Sequence, residues 1–331
     1  MVLHGGALLE AVVLAAGPGK RFRNLTKYIP KPLLPVANKP IIERLLRNLK
    51  SAGVKSVIIV VGHLEHKVIK KVNMLKGLNL KVRFVKAKNY LKGPIFSFSS
   101  AINEISEKDF ILAPADSIIS SNTIRNLIEI NESKVTLVVG PYTRKGTKVY
   151  IGSNQEVKGI NTPLKDWRET ATSMGIMYAT SKFLEYVKKA IKRGNTRIVD
   201  AINIAIKEGV EIKALYVKEK WFDIDNIQSL LEANIYYLEK LSPASKKTEI
   251  PNVKIYPPVL LEDDIKVDKN CEIGPYVCVD RKVQIGENCK LKNIVVLEGS
   301  KIPPKSFLSN GVFFKNIFLP RREDNHVQNK S

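Results

Sequence analysis

Residues 11–40 read AVVLAAGPGKRFRNLTKYIPKPLLPVANKP. They open on an unbroken apolar run rich in valine, too short for a helix and without polar alternation. Such a run predicts a strand buried on both faces, and therefore a parallel sheet. The strand passes directly into Gly17, Pro18 and Gly19, where small or φ-restricted residues let the backbone turn sharply and present N–H groups to an anion. Lys20 and Arg21 follow at once. Backbone donors and two positive charges converge there, and phosphate is the natural guest.

The spacing excludes two familiar phosphate loops. A dinucleotide fingerprint needs a third glycine where Phe22 stands, and a Walker loop needs four residues between its glycines followed by Lys-Ser/Thr. Downstream, Lys31 sits between Pro30 and Pro32. Both prolines restrict the backbone and hold the lysine at a preset angle.

Taken together, LAAGPGKRF and IPKPLLPVANKPII resemble the signature of the sugar-1-phosphate nucleotidyltransferases (NDP-sugar pyrophosphorylases), LAAGxGTRL…PKPLxPVxxKPxI. Lys20 stands where that family has Thr or Ser. The resemblance implies a Rossmann-like, mostly parallel α/β sheet. It also implies that Ala15, Ala16, Gly17, Gly19 and Lys20 bind nucleotide, with Arg21 and Lys31 as the catalytic cations.

Composition narrows the alternatives. The chain has 331 residues, enough for two domains, and a formal charge of +22. Its lysines are scattered, with no aromatic-interleaved basic motif, so no nucleic-acid partner is expected and the charge suits a phosphate-rich substrate. No apolar run reaches the length of a membrane span, and residues 7–16 carry Glu10 without a basic leader. A cytoplasmic enzyme is expected. His63 and His66 lie three apart but lack the cysteines or carboxylates of a zinc set.

Strand and helix periods alternate after the signature: a helix over 41–52, a strand over 57–61, a helix over 64–75 and a strand over 80–87. Gly93, before a helix through Ala101, stands where the family has a Gly-Thr-Ala segment that helps select the base, so the base stays open. Phe110 to Asp116 reads as a buried strand ending in a carboxylate, placed where ligands of open α/β sheets bind. Asp116 resembles the family's metal ligand; its alternative reading is a cap for the helix near Ser120. Asn161-Thr162-Pro163 replaces the family's Glu-Lys-Pro sugar contact, leaving Lys158 or Lys165 as substitutes, and Ser173 to Ile176 places Gly175 beneath the sugar. Asp200 is either a helix cap or a ligand-orienting group. Trp221-Phe222-Asp223-Ile224-Asp225 resembles the segment carrying the second metal ligand. Asp223 is the better candidate, since Asp225 replaces a glycine.

Residues 241–252 are polar and contain proline, which reads as a linker after a nucleotidyltransferase domain over 1–240. From 253 to 320 the period becomes six: Ile255, Leu261, Val267, Ile273, Val279, Ile285, Leu291 and Leu297, with a second series from Val259 to Val295 four residues after each. A hexapeptide-repeat left-handed β-helix is predicted. Phe307, Phe313, Phe314 and Phe318 are placed to cover its end, and residues 321–331 form a polar tail. No histidine lies on this wall, which argues against acyl transfer. Cys271 and Cys289, one coil apart, should be free buried thiols.

The resemblance implies transfer of a nucleotidyl group from an NTP to a sugar-1-phosphate, with glucose-1-phosphate and UTP or dTTP, or mannose-1-phosphate and GTP, as substrates. It further implies Mg²⁺ between Asp116 and Asp223 and a homo-oligomer built through the β-helix. The rival is a non-catalytic regulatory subunit, favoured by the missing Glu-Lys-Pro and Gly-Thr-Ala elements.

Overall fold

The computed structural model describes residues 9–130, 135–163, 166–241 and 250–321. The chain divides into two units, one of Met1–Gly19, Tyr28–Leu33 and Ile41–Asp223, the other of Lys20–Lys27, Leu34–Pro40 and Ile224–Ser331. Residues 242–249 of the expected linker and 322–331 of the expected tail lie outside the described residues.

The first unit is a helix–sheet–helix sandwich. In chain order it holds β1 (Glu10–Ala15), α1 (Ile41–Ser51), β2 (Ser56–Val61), α2 (Glu65–Asn73), β3 (Lys81–Lys86), α3 (Pro94–Ser99), β4 (Asp109–Pro114), β5 (Ser117–Ile118) and α4 (Ser121–Glu129). There follow β6 (Val135–Gly140), β7 (Lys148–Ile151), β8 (Val157–Ile160), β9 (Glu169–Thr180), α5 (Phe183–Lys192), α6 (Ile198–Lys207), β10 (Ile212–Tyr216) and β11 (Phe222–Asp223). The main sheet runs β8-β7-β9-β4-β1-β2-β3, with β6 paired to β9 and β10 to β6.

Successive residues of a strand face opposite sides, so an apolar run feeds two cores. Val12, Ile58 and Phe110 pack under α3, α5 and α6. Ala11, Val13, Val57 and Ile59 pack under α1, α2 and α4. The sheet is mostly parallel, as expected: of its strands only β8 and β9 run against the common direction. β1, β2, β3 and β4 are parallel, as are β6 and β10. The twelve-residue β9 runs antiparallel to β4, β6 and β7, and β7 to β8. Alternation of apolar runs with helices reports parallel crossovers, whereas the direction of β9 depends on a return that carries no period of its own.

The second unit contains α7 (Ile227–Glu239) and a stack of short parallel strands. Ile255 lies over Ile273 and Leu291, Leu261 over Val279 and Val296, and Val267 over Ile285 and Ile302. The first step along each column is eighteen residues, as the hexads predict. The next is seventeen in two of them, with Val277 opposite Ile294. The inward residues are therefore Ile294 and Val296, and not Val295 and Leu297 as the uninterrupted hexads imply. One residue is saved at the turn through Asn293, which takes the left-handed backbone (φ 45°). Its Nδ2 donates to Oδ1 of Asn310 at 2.7 Å, in the equivalent turn of the next layer. Asn, Asp and Gly tolerate this backbone best, and Asn252, Asn270 and Asn288 use it at another repeated turn.

At the far end, Ile317–Pro320 pairs antiparallel with Phe307–Phe314, setting Phe318 opposite Phe313. Phe313 and Phe318 cover the stack as expected, but Phe307 is 69% exposed and does not. Cys271, Cys278 and Cys289 are free and buried. Among the described residues no helix is long and apolar enough to cross a membrane.

Candidate functional site

β1 and β4 are parallel neighbours with Leu14 opposite Pro114, so the chain after each emerges at the same edge of the sheet. The ladder continues past both strands: the Ala115 N–H donates to the Leu14 carbonyl at 3.0 Å, and the His63 N–H to the Ala16 carbonyl at 3.1 Å. Buried Ala15 and Ala16 thereby deliver Gly17 and Gly19 to this edge. A side chain on Gly17 would meet nothing within 4 Å, and Gly19 takes φ 61°. The space around Gly17 is open.

Asp116 lies in the turn between β4 and β5, just beyond the strand that the sequence predicts it to end. β5 pairs antiparallel with β11, setting Asp223 opposite Ser117. That short ribbon brings two carboxylates more than a hundred residues apart together, with one oxygen of each within 4.8 Å of the other. The cap reading of Asp116 is set aside: the Thr123 N–H donates to Ser120 Oγ at 3.0 Å, so Ser120 caps α4.

Lys31 opens a 3₁₀ turn, Lys31–Leu33, closed by the Leu33 N–H on the Pro30 carbonyl at 2.8 Å. Although charged, it is only 8% exposed. Burial of an ammonium requires a partner. Nζ donates to Oδ2 of Asp116 at 2.6 Å, joining two residues that the sequence reading assigns to separate tasks. Hard carboxylate oxygens in close pairs suit a divalent cation, and Asp116 and Asp223 can hold one.

Gly175 interrupts β9 at φ 78°, where a side chain would approach Pro114 Cγ at 3.1 Å. It lies within the strand and not ahead of it, beside the Asp116 turn. Gly93 precedes α3, and a side chain there would meet the Thr196 carbonyl at 2.4 Å, so the residue has a packing reason to be glycine. Lys158 is on β8, three strands from β4, with its ammonium 2.8 Å from Glu156. Lys165 lies outside the described residues. Asp200 is a cap: the Arg197 N–H donates to its Oδ2 at 3.2 Å at the start of α6. Asn203 of α6 holds both the N–H and the carbonyl of Ile160, tying the β7–β8 hairpin to the domain.

In the second unit, exposed Lys20 and Arg21 begin a 3₁₀ helix, Lys20–Lys27. Arg21 Nη1 bonds the carboxylate of Asp225, the residue the sequence reading set aside in favour of Asp223. The sequence reading also missed Tyr90, whose ring lies where a side chain on Gly62 would fall, with Ala16 Cβ beside it. Its only signal is its position in the loop before Gly93.

Comparison with known proteins gives the family. The family described as nucleotidyl transferase matches residues 10–240, and that described as GMPPB C-terminal domain matches 255–317. A "bifunctional sugar-1-phosphate nucleotidylyltransferase/acetyltransferase" of Sulfurisphaera tokodaii is 26% identical over 93% of this chain and 80% of its own length. A "bifunctional protein GlmU" of Methanococcus aeolicus is 26% identical over 93% of this chain and 78% of its own. A glucose-1-phosphate thymidylyltransferase of Streptomyces griseus is 25% identical over 81% and 77%. Among solved structures, a UDP-glucose pyrophosphorylase complexed with UDP-glucose superposes with a TM-score of 0.62 at 22% identity, covering 71% of this chain and all of that one. That likeness is of fold. The family match over residues 10–240, on the chain that builds this edge, makes the protein an enzyme of the nucleotidyl transferase family.

Proposed function

We propose that the enzyme transfers the nucleotidyl group of an NTP to a sugar-1-phosphate, releasing an NDP-sugar and pyrophosphate. The observation that carries this reading is the close set of Lys31, Asp116 and Asp223 at the edge where the Ala15–Gly19 turn emerges. The names of the relatives support the choice of acceptor.

A phosphate oxygen of the sugar-1-phosphate attacks the α-phosphorus, and the bond from that phosphorus to the pyrophosphate oxygen breaks. The nucleophile is already an anion, so no base is required, and catalysis rests on positioning and charge. Ala15, Ala16, Gly17, Gly19, Lys20 and Gly93 form the nucleotide side. Lys31, oriented by Asp116, neutralises the phosphate under attack. Arg21 neutralises the departing pyrophosphate by exchanging Asp225 for it, an exchange that costs little because an exposed ion pair is weak. Gly175 lies on the sugar side, with Lys158 and Lys165 as the weaker candidates. Asp116 and Asp223 fit Mg²⁺ as hard oxygen donors, and a bound ion would withdraw charge from the phosphate oxygens.

In this reading residues 1–240 are the catalytic domain, joined by 241–252 to a left-handed β-helix over 253–320 through which copies of the chain assemble, followed by a polar tail. The enzyme works in the cytoplasm. Pyrophosphate release should be screened over four NTPs with several sugar phosphates, including glucose-1-phosphate with UTP or dTTP and mannose-1-phosphate with GTP. Release with one pair is the expected result. Binding of NTP without release for every pair would replace the reading with a non-catalytic regulatory subunit.

A further inference from the structure

The ribbon that sets Asp223 beside Asp116 is two residues long on each side, Ser117–Ile118 with Phe222–Asp223. A pairing that short is marginal by itself. Away from the carboxylates, the same two stretches of chain are joined a second time. Glu219 Oε2 accepts the hydroxyl of Thr123 at 2.9 Å and that of Ser120. A carboxylate can only accept, so the single proton of Ser120 goes to Glu219 and its oxygen is left to cap α4 through the Thr123 N–H. The Glu219 carboxylate lies at the N-terminus of α4, where the helix dipole favours negative charge. Thr123, Ile118 and Ile119 are buried, so the α4 side of this junction is a fixed wall.

Asp116 and Ser120 stand four residues apart on one arm, Glu219 and Asp223 four apart on the other. The carboxylate pair closes one end of the ribbon and the Glu219 bonds the other. The second arm leaves the main sheet at Val217, whose N–H donates to the Val139 carbonyl at 2.9 Å, and Glu219 ties it down before it reaches the ribbon. Both arms and α4 belong to the first unit. We propose that Glu219 is a positioning residue for Asp223: by fastening this arm to the cap of α4 it sets the spacing of the Asp116 and Asp223 carboxylates, and with it their affinity for a divalent cation. The inference deepens the proposed function and rests on it for the cation that the pair holds.

The test titrates the full chain, free of nucleotide, with Mn²⁺ followed by electron paramagnetic resonance. Glu219 is exposed, so its substitution leaves the core intact. Loss of a group that orients metal ligands costs about 10- to 100-fold in affinity, so Glu219→Ala should raise the Mn²⁺ dissociation constant at least about tenfold. Glu219→Gln removes the charge but keeps a carbonyl oxygen for both hydroxyls, and should stay within about threefold of wild type. Ser120→Ala with Thr123→Val breaks the same bonds from the other side and should weaken Mn²⁺ as Glu219→Ala does. Adding Glu219→Ala to that pair should then cost less than about twofold more, because the contact is already lost. Backbone amide exchange over residues 117–119 and 221–223 should quicken about tenfold in Glu219→Ala while β1 and β4 are unchanged. Binding of Mn²⁺ by Glu219→Ala within about twofold of wild type overturns the proposal, as does unchanged exchange. Equal weakening by Gln and Ala also overturns it, since the charge would then be acting through space. Wild-type protein that holds Mn²⁺ yet releases no pyrophosphate with any substrate pair would remove the proposed function and leave this inference to the titration. Wild-type protein that binds no Mn²⁺ overturns it.

Discussion

Lys31 Nζ and Asp116 Oδ2 are 2.6 Å apart, linking the proline-flanked turn to the end of β4. The lysine side chain is 11% exposed and the aspartate 30%. Breaking such a pair from one side leaves the other charge poorly solvated. Asp116→Asn should therefore lower stability by about 1–3 kcal/mol in urea unfolding, besides lowering turnover by about two to three orders of magnitude. Two close carboxylates on their own would make the substitution relieve repulsion; the pairing of Asp116 with Lys31 reverses the sign. Lys31→Met should lose as much turnover, and the double substitution should recover part of the stability.

Asp223 is exposed and adjoins Asp116, so Asp223→Asn should change stability little in metal-free buffer. Its effect should appear when a divalent ion is added. At a hundred times its dissociation constant, Mg²⁺ should stabilise the wild-type protein by about 2.7 kcal/mol. Thermal melts with and without Mg²⁺ should show that gain in wild type and its loss in Asp223→Asn.

Truncation after Lys240 removes Cys278 and Val279, the partners of Asn234 and Asn38. The polar linker suggests a separable N-terminal domain, but these bonds tie the hairpin after Lys31, Pro35–Val36 with Lys39–Pro40, to the stack. The truncated chain should melt at a lower temperature than the intact one and show faster amide exchange over 31–40. Light scattering on the same pair should show fewer chains per particle for the truncated form.

Cys271 and Cys289 donate to the carbonyls of Gly286 and Pro303, each at 3.1 Å. Burial pushes the Cys271 thiol above the ordinary thiol range. The folded protein then keeps a proton that the unfolded chain releases, so the contribution of Cys271 is fully present below the unfolded thiol pKa and is lost as pH rises through the folded one. Unfolding free energy measured between pH 7 and 10 should decline less in Cys271→Ala than in wild type. Thiol titration should find three reactive groups after denaturation without reductant and slow reaction in the native protein.

Much of the candidate site was legible because it is local. The Gly17–Gly19 turn, the proline bracket around Lys31 and the buried runs of β1, β2 and β4 each announce themselves within a few residues. Asp116 stands at the end of an apolar run, whereas Asp223 was singled out only because Trp221 to Asp225 resembles a family segment. The Arg21–Asp225 pair was not legible, because nothing near either residue names the other. Nor was the role of Asp200 decided, since a helix cap and a ligand contact use the same residue type until the hydrogen bond of the Arg197 N–H is seen.

The amino-acid order alone determined the strand that feeds the Gly17–Gly19 turn, the alternation of strands and helices behind it, and the six-residue period of the C-terminal stack. These follow from local backbone preference and the periodicity of burial. Tertiary structure alone decided the antiparallel course of β9, the one-residue saving at Asn293 that exchanges Val295 and Leu297 for Ile294 and Val296, and the bond between Lys31 and Asp116. Each depends on where a distant strand or turn comes to rest, and that is set by packing across the whole domain, which no short window of sequence contains.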